Sequence, residues 1–344
     1  MRLPDDDEEG ARIVRRATEL GINYFETSEG YCGGRSEIKV GLGLAGRRSN
    51  VYISTKSAMR PGTTADDIKR RVEASLNRLQ TNYVDFYQVW DYRTPDYETV
   101  VKKGGALDTL EDLKAQGIIH HIGVTSHESN EEIMRLLNTG RFESVTLSYH
   151  LLKRVHEPLI EYAASLGIGV VIMTPLAGGL LATPSDVITE LMPGQYASTA
   201  AAALSFVMSN PFVSTVPSGM RRVEEVEENA RAWAEFRQLS SDERALLFQS
   251  LEQYQALGKQ FCTQCGYCMP CPNGIDIPRL FRIRNMYKVF GLRDWAIRAY
   301  RKIEPPALPE NCTECGQCET KCPNSIPIMA QLKEVAETFQ GVRE

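Results

Sequence analysis

Eight of the nine cysteines in this 344-residue chain fall between Cys262 and Cys322, so one short stretch is chemically unlike everything before it. That stretch is an internal repeat. CTQCGYCMPCPNGIDI, from Cys262, is echoed fifty positions later by CTECGQCETKCPNSIPI, from Cys312. Self-similarity of this kind means two copies of one small unit. The N-terminal MRLPDDDEEG has neither the basic start nor the apolar run of a secretory signal, which implies a cytoplasmic chain in reducing surroundings. Disulfides are disfavoured there, and thiols at such spacings bind metal. Cys32, the remaining cysteine, has no assignable base and is expected to be a small buried or loop residue.

Each copy sets three cysteines at two-residue gaps and a fourth before a proline. They are Cys262, Cys265, Cys268 and Cys271, then Cys312, Cys315, Cys318 and Cys322. The second copy resembles the ferredoxin run C-x2-C-x2-C-x3-C-P, whereas the first has a gap of two before its last cysteine. Zinc sites with four cysteines also use CxxC pairs. Two consecutive CxxC steps closed by Cys-Pro, twice over, favour two [4Fe-4S] clusters. A cubane needs four thiolates from different directions; a tight loop supplies three, and the fourth arrives from elsewhere. The resemblance to two-cluster ferredoxins implies a crossover, with Cys262, Cys265, Cys268 and Cys322 on one cluster and Cys312, Cys315, Cys318 and Cys271 on the other.

Upstream, β-branched runs alternate with amphipathic helical runs, the pattern of βα units on a parallel sheet. Seven strands are expected, starting at Ile22, Val51, Val84, His121, Ser144, Gly169 and Phe212, and Met1-Arg-Leu-Pro could end an eighth. A helix is expected over 65–79, with Ile68, Val72, Leu76 and Leu79 on one face and Thr64 with Asp67 capping its start. The fold class is therefore α/β, a (β/α)8 TIM barrel with a truncated first strand over residues 1–235. A helical linker over 236–260 and a mainly helical ferredoxin-like domain over 261–344 follow. Gly41-Leu-Gly-Leu-Ala-Gly46 matches GxGxxG, but it follows a helical run and opens no helix. It is better taken as a helix C-terminus.

Apolar residues are 42% and charged residues 24%, an ordinary globular balance with no run long enough to cross a membrane. Net charge is −5 and no stretch stands out as dense in Lys or Arg, so neither a nucleic-acid nor a membrane partner is expected.

Chemistry in such a barrel sits where the strands end. The exits carry Glu26 to Tyr31, Lys56, Trp90-Asp91, Thr125-Ser126-His127, Pro175-Leu-Ala-Gly-Gly, and Pro217-Ser-Gly-Met-Arg-Arg222 with Glu225, Glu228 and Asn229 beyond. At these positions the chain resembles the aldo-keto reductase family, in particular members with a C-terminal ferredoxin-like extension. The segments that carry the likeness are FETSEGYCGGRSE, VYISTK, TPLAGGLL and VPSGMRRVEEVEENARA. The resemblance implies NADPH-dependent reduction of a small-molecule carbonyl through an Asp, Tyr, Lys and His tetrad. Tyr31 carries over as proton donor and Lys56 as its tuning cation. Glu26 stands where the family has aspartate, and Trp90 where it has histidine; indole donates a hydrogen bond but cannot relay a proton. For the cofactor, Thr125 and Ser126 resemble the carboxamide-binding pair, while Thr146 and His150 replace the family's Gln and Asn. Pro175, Leu176, Gly178 and Gly219 resemble its cofactor loops, and Arg221 and Arg222, with Glu225, Glu228 and Asn229, suit a 2′-phosphate beside a helix start.

A hydride carries two electrons and a cluster passes one. No flavin site is visible to convert between them, so a redox partner protein is expected, either a flavoprotein that holds the flavin or a ferredoxin. Two competing readings stand beside this one. The barrel could have lost hydride chemistry and serve as a docking platform for an electron-carrying tail, or the clusters could be structural staples.

Overall fold

A computed structural model describes residues 3–257, 266–322 and 326–342. Its first half repeats one local unit. Helix α1 (Asp7–Glu19) leads into β1 (Tyr24–Glu26), α2 (Ser36–Gly43), β2 (Tyr52–Ser57), α3 (Ala65–Leu79) and β3 (Val84–Tyr92). Helices α4 (Tyr97–Val101) and α5 (Ala106–Ala115) precede β4 (Ile119–Ser126), α6 (Asn130–Leu137), β5 (Ser144–Ser148), α7 (Glu157–Ser165) and β6 (Gly169–Met173). The six strands are parallel and hydrogen-bonded in sequence order. Parallel neighbours need a crossover, and a helix supplies each one, which is the construction expected of successive βα units.

Local chemistry sets the boundaries of α3. Thr64 accepts the Asp67 N–H at 3.2 Å, and the Asp67 carboxylate accepts the Thr64 N–H at 3.1 Å, a complete capping box. Ile68, Val72 and Leu79 are buried along one face, whereas Leu76 is half-buried.

The glycines of the GxGxxG stretch have a packing reason. Gly41 and Gly43 lie inside α2, and Gly46 beyond its end has φ +71°. A Cβ on Gly41 would sit 2.7 Å from the Leu79 carbonyl, and one on Gly43 2.6 Å from Val14 Cβ, so α2 nests against α3 and α1 through bare backbone. Gly41→Ala should cost about 1–3 kcal/mol by overpacking, seen as a lower urea midpoint at unchanged m. An unaltered midpoint would contradict this close approach.

The expected seventh strand is not formed as a strand. Thr215 makes one parallel bridge to Val171, with Ile172 N–H donating to Thr215 O at 3.0 Å. The Ser214 hydroxyl takes the Val170 N–H at 3.0 Å, so a side chain occupies a place in the ladder. Pro211 and Pro217, which lack donors, bracket the segment. At the other edge Leu3 and Pro4 are not in a strand, and the first two residues lie outside the described set.

Helices α8 (Asp186–Leu191), α9 (Thr199–Met208), α10 (Val223–Ala234) and α11 (Ser241–Leu257) come next. The C-terminal part holds α12 (Ile277–Lys288), α13 (Arg293–Arg301), α14 (Gln317–Thr320) and α15 (Ile328–Thr338). The chain divides into two compact units, and neither is continuous: 1–178 with 203–238, and 179–202 with 239–344. The consecutive expectation of a barrel over 1–235 thus differs from the packing at Gly179–Ala202. That segment is tied within the second unit, where the Ser185 hydroxyl donates to the Phe290 carbonyl and α8 packs on α11. The second unit's core gathers Ile277, Leu280 and Phe281 of α12, Tyr300 of α13 and Leu332, Val335 and Phe339 around α15. Among the described residues no helix is long and apolar enough to cross a membrane.

Candidate functional site

Strand alternation decides what the inner face of the sheet carries. Near the strand starts, Tyr24, Phe86 and His121 adjoin in a row, Tyr24 tilted against Phe86 with ring centroids 5.7 Å apart and Phe86 stacked on His121 at 5.0 Å. One step further on, Gln88 donates to Ser54 Oγ at 2.6 Å and accepts from Thr146 at 2.7 Å; all three side chains are fully buried. Gly123 leaves the room for this chain of amide and hydroxyls, because a Cβ there would lie 3.0 Å from Gln88 Cγ and 2.4 Å from Ser144 Oγ. A further step toward the strand ends come Glu26, Lys56 and Trp90.

Lys56, 1% exposed, is ion-paired with Glu26 and donates to the Thr27 carbonyl at 3.1 Å. The longer reach of Glu26, compared with the aspartate of the resemblance, therefore still meets the ammonium. Burial lowers the Lys56 pKa to about 7, because the charged form loses hydration. Lys56 Nζ lies over the Tyr31 ring, 4.5 Å from its centroid. Tyr31 opens a tight turn, Tyr31–Gly34, that follows β1. Burial raises its phenol pKa, so the hydroxyl stays protonated. Trp90 meets the same ring edge-on, centroids 5.7 Å apart at 84°, and a Cβ on Gly30 would come within 3.1 Å of the indole. Four residues singled out by the family resemblance, Glu26, Tyr31, Lys56 and Trp90, are thus brought into one cluster. Cys32 is half-buried in the same turn.

The β3 exit has a feature with no sequence signal. Asp91 has φ +51°, and Arg60 holds it there, donating to its carbonyl at 2.8 Å and its carboxylate at 3.0 Å. Thr125 and Ser126 are buried beside it. Thr125 Oγ1 accepts the Asp91 N–H at 2.7 Å; Ser126 donates to the Tyr92 carbonyl at 2.9 Å and accepts the Glu128 N–H at 3.1 Å. Both hydroxyls therefore stitch two strand ends together.

The other expected cofactor residues stand on two loops. After β6, Thr174, Ala177 and Gly178 all have positive φ, with Pro175 buried and Leu176 half-buried between them. Before α10, Gly219, Arg221 and Arg222 are exposed, and Arg222 occupies the N-cap. Glu225 accepts the Arg221 N–H at 2.7 Å and lies 3.4 Å from Arg222 Nε, while Asn229 donates to Ser218 Oγ at 3.3 Å. Glu228 is exposed one residue earlier. His127 is exposed, and His150 Nδ1 accepts the Leu152 N–H at 3.3 Å, a turn contact.

In the second unit Cys271, Cys312, Cys315 and Cys318, the set expected to share a cluster, line one cavity whose wall includes Ile275, Ile277 and Leu332. Cys268 lines it as well, and Cys322 does not. Five thiols thus line this cavity, and thiolates are the ligands an iron–sulfur cluster takes, while among the described residues no three Cys, His, Asp or Glu side chains are grouped to hold a single metal ion. Cys262 and Cys265 lie outside the described residues.

A model of the aldo/keto reductase family matches residues 2–252, and a 4Fe-4S dicluster domain matches 261–326. The chain belongs to the aldo/keto reductase family and carries a 4Fe-4S domain at its C-terminal side. It is 30% identical over 276 residues to L-galactose dehydrogenase from Arabidopsis thaliana, covering 71% of this chain and 83% of that protein. Its fold is similar to an aldo-keto reductase from Bacillus halodurans in the holo form, with TM-score 0.62 and 28% identity over 72% of this chain and 88% of that one. An aldo-keto reductase from Klebsiella pneumoniae solved with NADPH gives TM-score 0.60 and 25% identity, covering 71% and 85%.

Proposed function

We propose that the chain is an NADPH-dependent oxidoreductase that reduces a carbonyl on a (β/α)8-type framework of which six parallel strands are formed among the described residues, with two [4Fe-4S] clusters in the second unit passing electrons singly. The observation that carries this reading is Lys56, buried at 1% between the Glu26 carboxylate and the face of Tyr31. A buried ammonium is costly unless it is paired and used.

The cofactor, when bound, supplies hydride to the carbonyl carbon. Tyr31 then gives its proton to the alkoxide oxygen, and Lys56 stabilises the phenolate left behind. Glu26 keeps Lys56 aimed at Tyr31. Trp90 restricts the swing of the Tyr31 ring and can offer its indole N–H to the substrate oxygen. Thr125 and Ser126, already committed to the strand ends, would hold the carboxamide with their remaining hydrogen-bonding capacity. Pro175, Leu176 and Gly178 would flank the cofactor, and Gly219, Arg221, Arg222, Glu225, Glu228 and Asn229 would receive its adenosine end, where the α10 N-terminus and two guanidinium groups suit a 2′-phosphate.

Anaerobic titration with NADPH and NADH tests the cofactor assignment. NADPH is expected to bind more tightly, and Arg221→Ala with Arg222→Ala to erase the difference, since a hydrogen bond to a charged group contributes about 1.5–3 kcal/mol. Equal affinities in the unaltered protein would reduce the Arg pair to ordinary surface.

One observation favours a docking platform instead: the hydroxyls of Thr125 and Ser126 are taken up by backbone groups. Absence of NADPH binding in the iron-loaded protein would favour that reading.

A further inference from the structure

The chain carries net charge −5, yet residues 277–302 hold eight Lys and Arg against one acid, Asp294. This corrects the expectation that no stretch is dense in basic residues. Two of the eight share one carboxylate: Arg284 and Lys288 both pair with Glu334. Others line a stripe across the α12 and α13 pair. Arg279 donates to the Lys302 carbonyl at 3.2 Å, which sets the start of α12 beside the end of α13. One turn along, Arg282 lies 5.8 Å from the Trp295 ring centroid. Arg298 sits one turn from Trp295 and four residues before Lys302, on the same side of α13. Arg279, Arg282, Arg298 and Lys302 are all exposed. Of the acids nearby, Asp276 accepts the Arg279 N–H at the α12 N-cap, and Asp294 and Glu304 are exposed at the flanks. None of these carboxylates forms an ion pair with the four cations among the described residues.

The stripe begins at the thiol cavity. Ile277, the first residue of α12, lines the cavity with Cys271, Cys312, Cys315 and Cys318, and Arg279 follows two residues later. We infer that this face docks an acidic one-electron carrier protein. The inference rests on the iron–sulfur part of the proposed function and is independent of the carbonyl chemistry. Charge complementarity chooses the occupant: an anionic protein is repelled on average by a chain of net charge −5 and attracted where exposed cations outnumber acids, so its encounters favour such a stripe. The exchange balances simply. One electron leaves the reduced carrier and enters an oxidised cluster, and no proton moves and no bond forms.

The test is calorimetric titration of the anaerobically isolated, iron-loaded full chain with an oxidised plant-type [2Fe-2S] ferredoxin of strongly acidic surface. Binding is expected at about 50 mM NaCl and should weaken at least about tenfold at about 300 mM, where screening is stronger. Arg282→Glu with Arg298→Glu should lower the affinity at low salt at least about tenfold while iron content stays unchanged, and Arg12→Glu on α1 should not. Reduction by methyl viologen, which is small and cationic, should be no slower in the double variant. Failure of the unaltered protein to bind the ferredoxin, equal binding by the double variant, or tighter binding to duplex DNA or phosphatidylserine vesicles than to ferredoxin would overturn the docking face alone. A protein isolated without iron or sulfide would overturn the iron–sulfur reading and the docking with it.

Discussion

Tyr31→Phe is expected to lower carbonyl reduction by about 10²–10⁴, the usual share of general acid catalysis, while NADPH affinity stays unchanged. The geometry motivates the size of the effect: the ring is held by Trp90 on one side and Lys56 over its face, and burial keeps the hydroxyl protonated. Lys56→Met should cost a comparable factor. The pH dependence has a definite sign. Burial favours the neutral amine and lowers the Lys56 pKa to about 7, so the ammonium that assists Tyr31 is present below that value and lost above it. Reduction should therefore fall as pH rises through about 7, and Lys56→Arg should remove that limb, because guanidinium stays charged. Trp90→His should broaden the range of simple aldehydes reduced if Trp90 only shapes the pocket. A protein that binds NADPH but reduces no aldehyde, ketone or quinone, and that Tyr31→Phe leaves unchanged, would defeat the enzyme reading.

The second large effect concerns iron. Protein isolated without oxygen should carry about eight iron and eight sulfide, and Cys318→Ser, at the shared cavity, should remove about half of each. Cys322 does not line that cavity, so Cys322→Ser should deplete the other cluster. Cys268 distinguishes the pairings, since it lines the cavity of the second set although the crossover gives it to the first. Electron paramagnetic resonance of the reduced variants would resolve which cluster is lost. Zinc without sulfide in the unaltered protein would overturn both assignments.

The parts legible in the sequence are those governed by local chemistry or short spacing. Thr64 and Asp67 announce the start of α3 because a capping box is complete within four residues. Strand ends alone offer a longer set of candidates, and it is the aldo-keto reductase resemblance that narrows them to Glu26, Tyr31, Lys56 and Trp90. Gln88 was not legible: a lone glutamine in a strand looks like ordinary alternation, and its partners Ser54 and Thr146 lie 34 and 58 residues away. The segment from Phe212 looked like a strand by composition, but the Ser214 hydroxyl competes for the ladder, which periodicity does not register. The basic stripe on α12 and α13 was hidden because the whole-chain charge averages it away. Arg60 gave no signal either, since its role depends on the left-handed backbone at Asp91.

The assignment of Gly179–Ala202 to the second unit bears on how such a chain can be cut. A truncation after Gln238 would retain α8 but delete α11 and the Phe290 carbonyl that Ser185 binds, exposing apolar surface from a segment stranded without its support. Grafting residues 239–344 onto another reductase would have the converse defect. The workable recombination unit is a discontinuous one, in which the excursion after Gly178 travels together with the cysteine-rich tail, so an exchange between relatives needs three junctions, at 178/179, 202/203 and 238/239, in place of one.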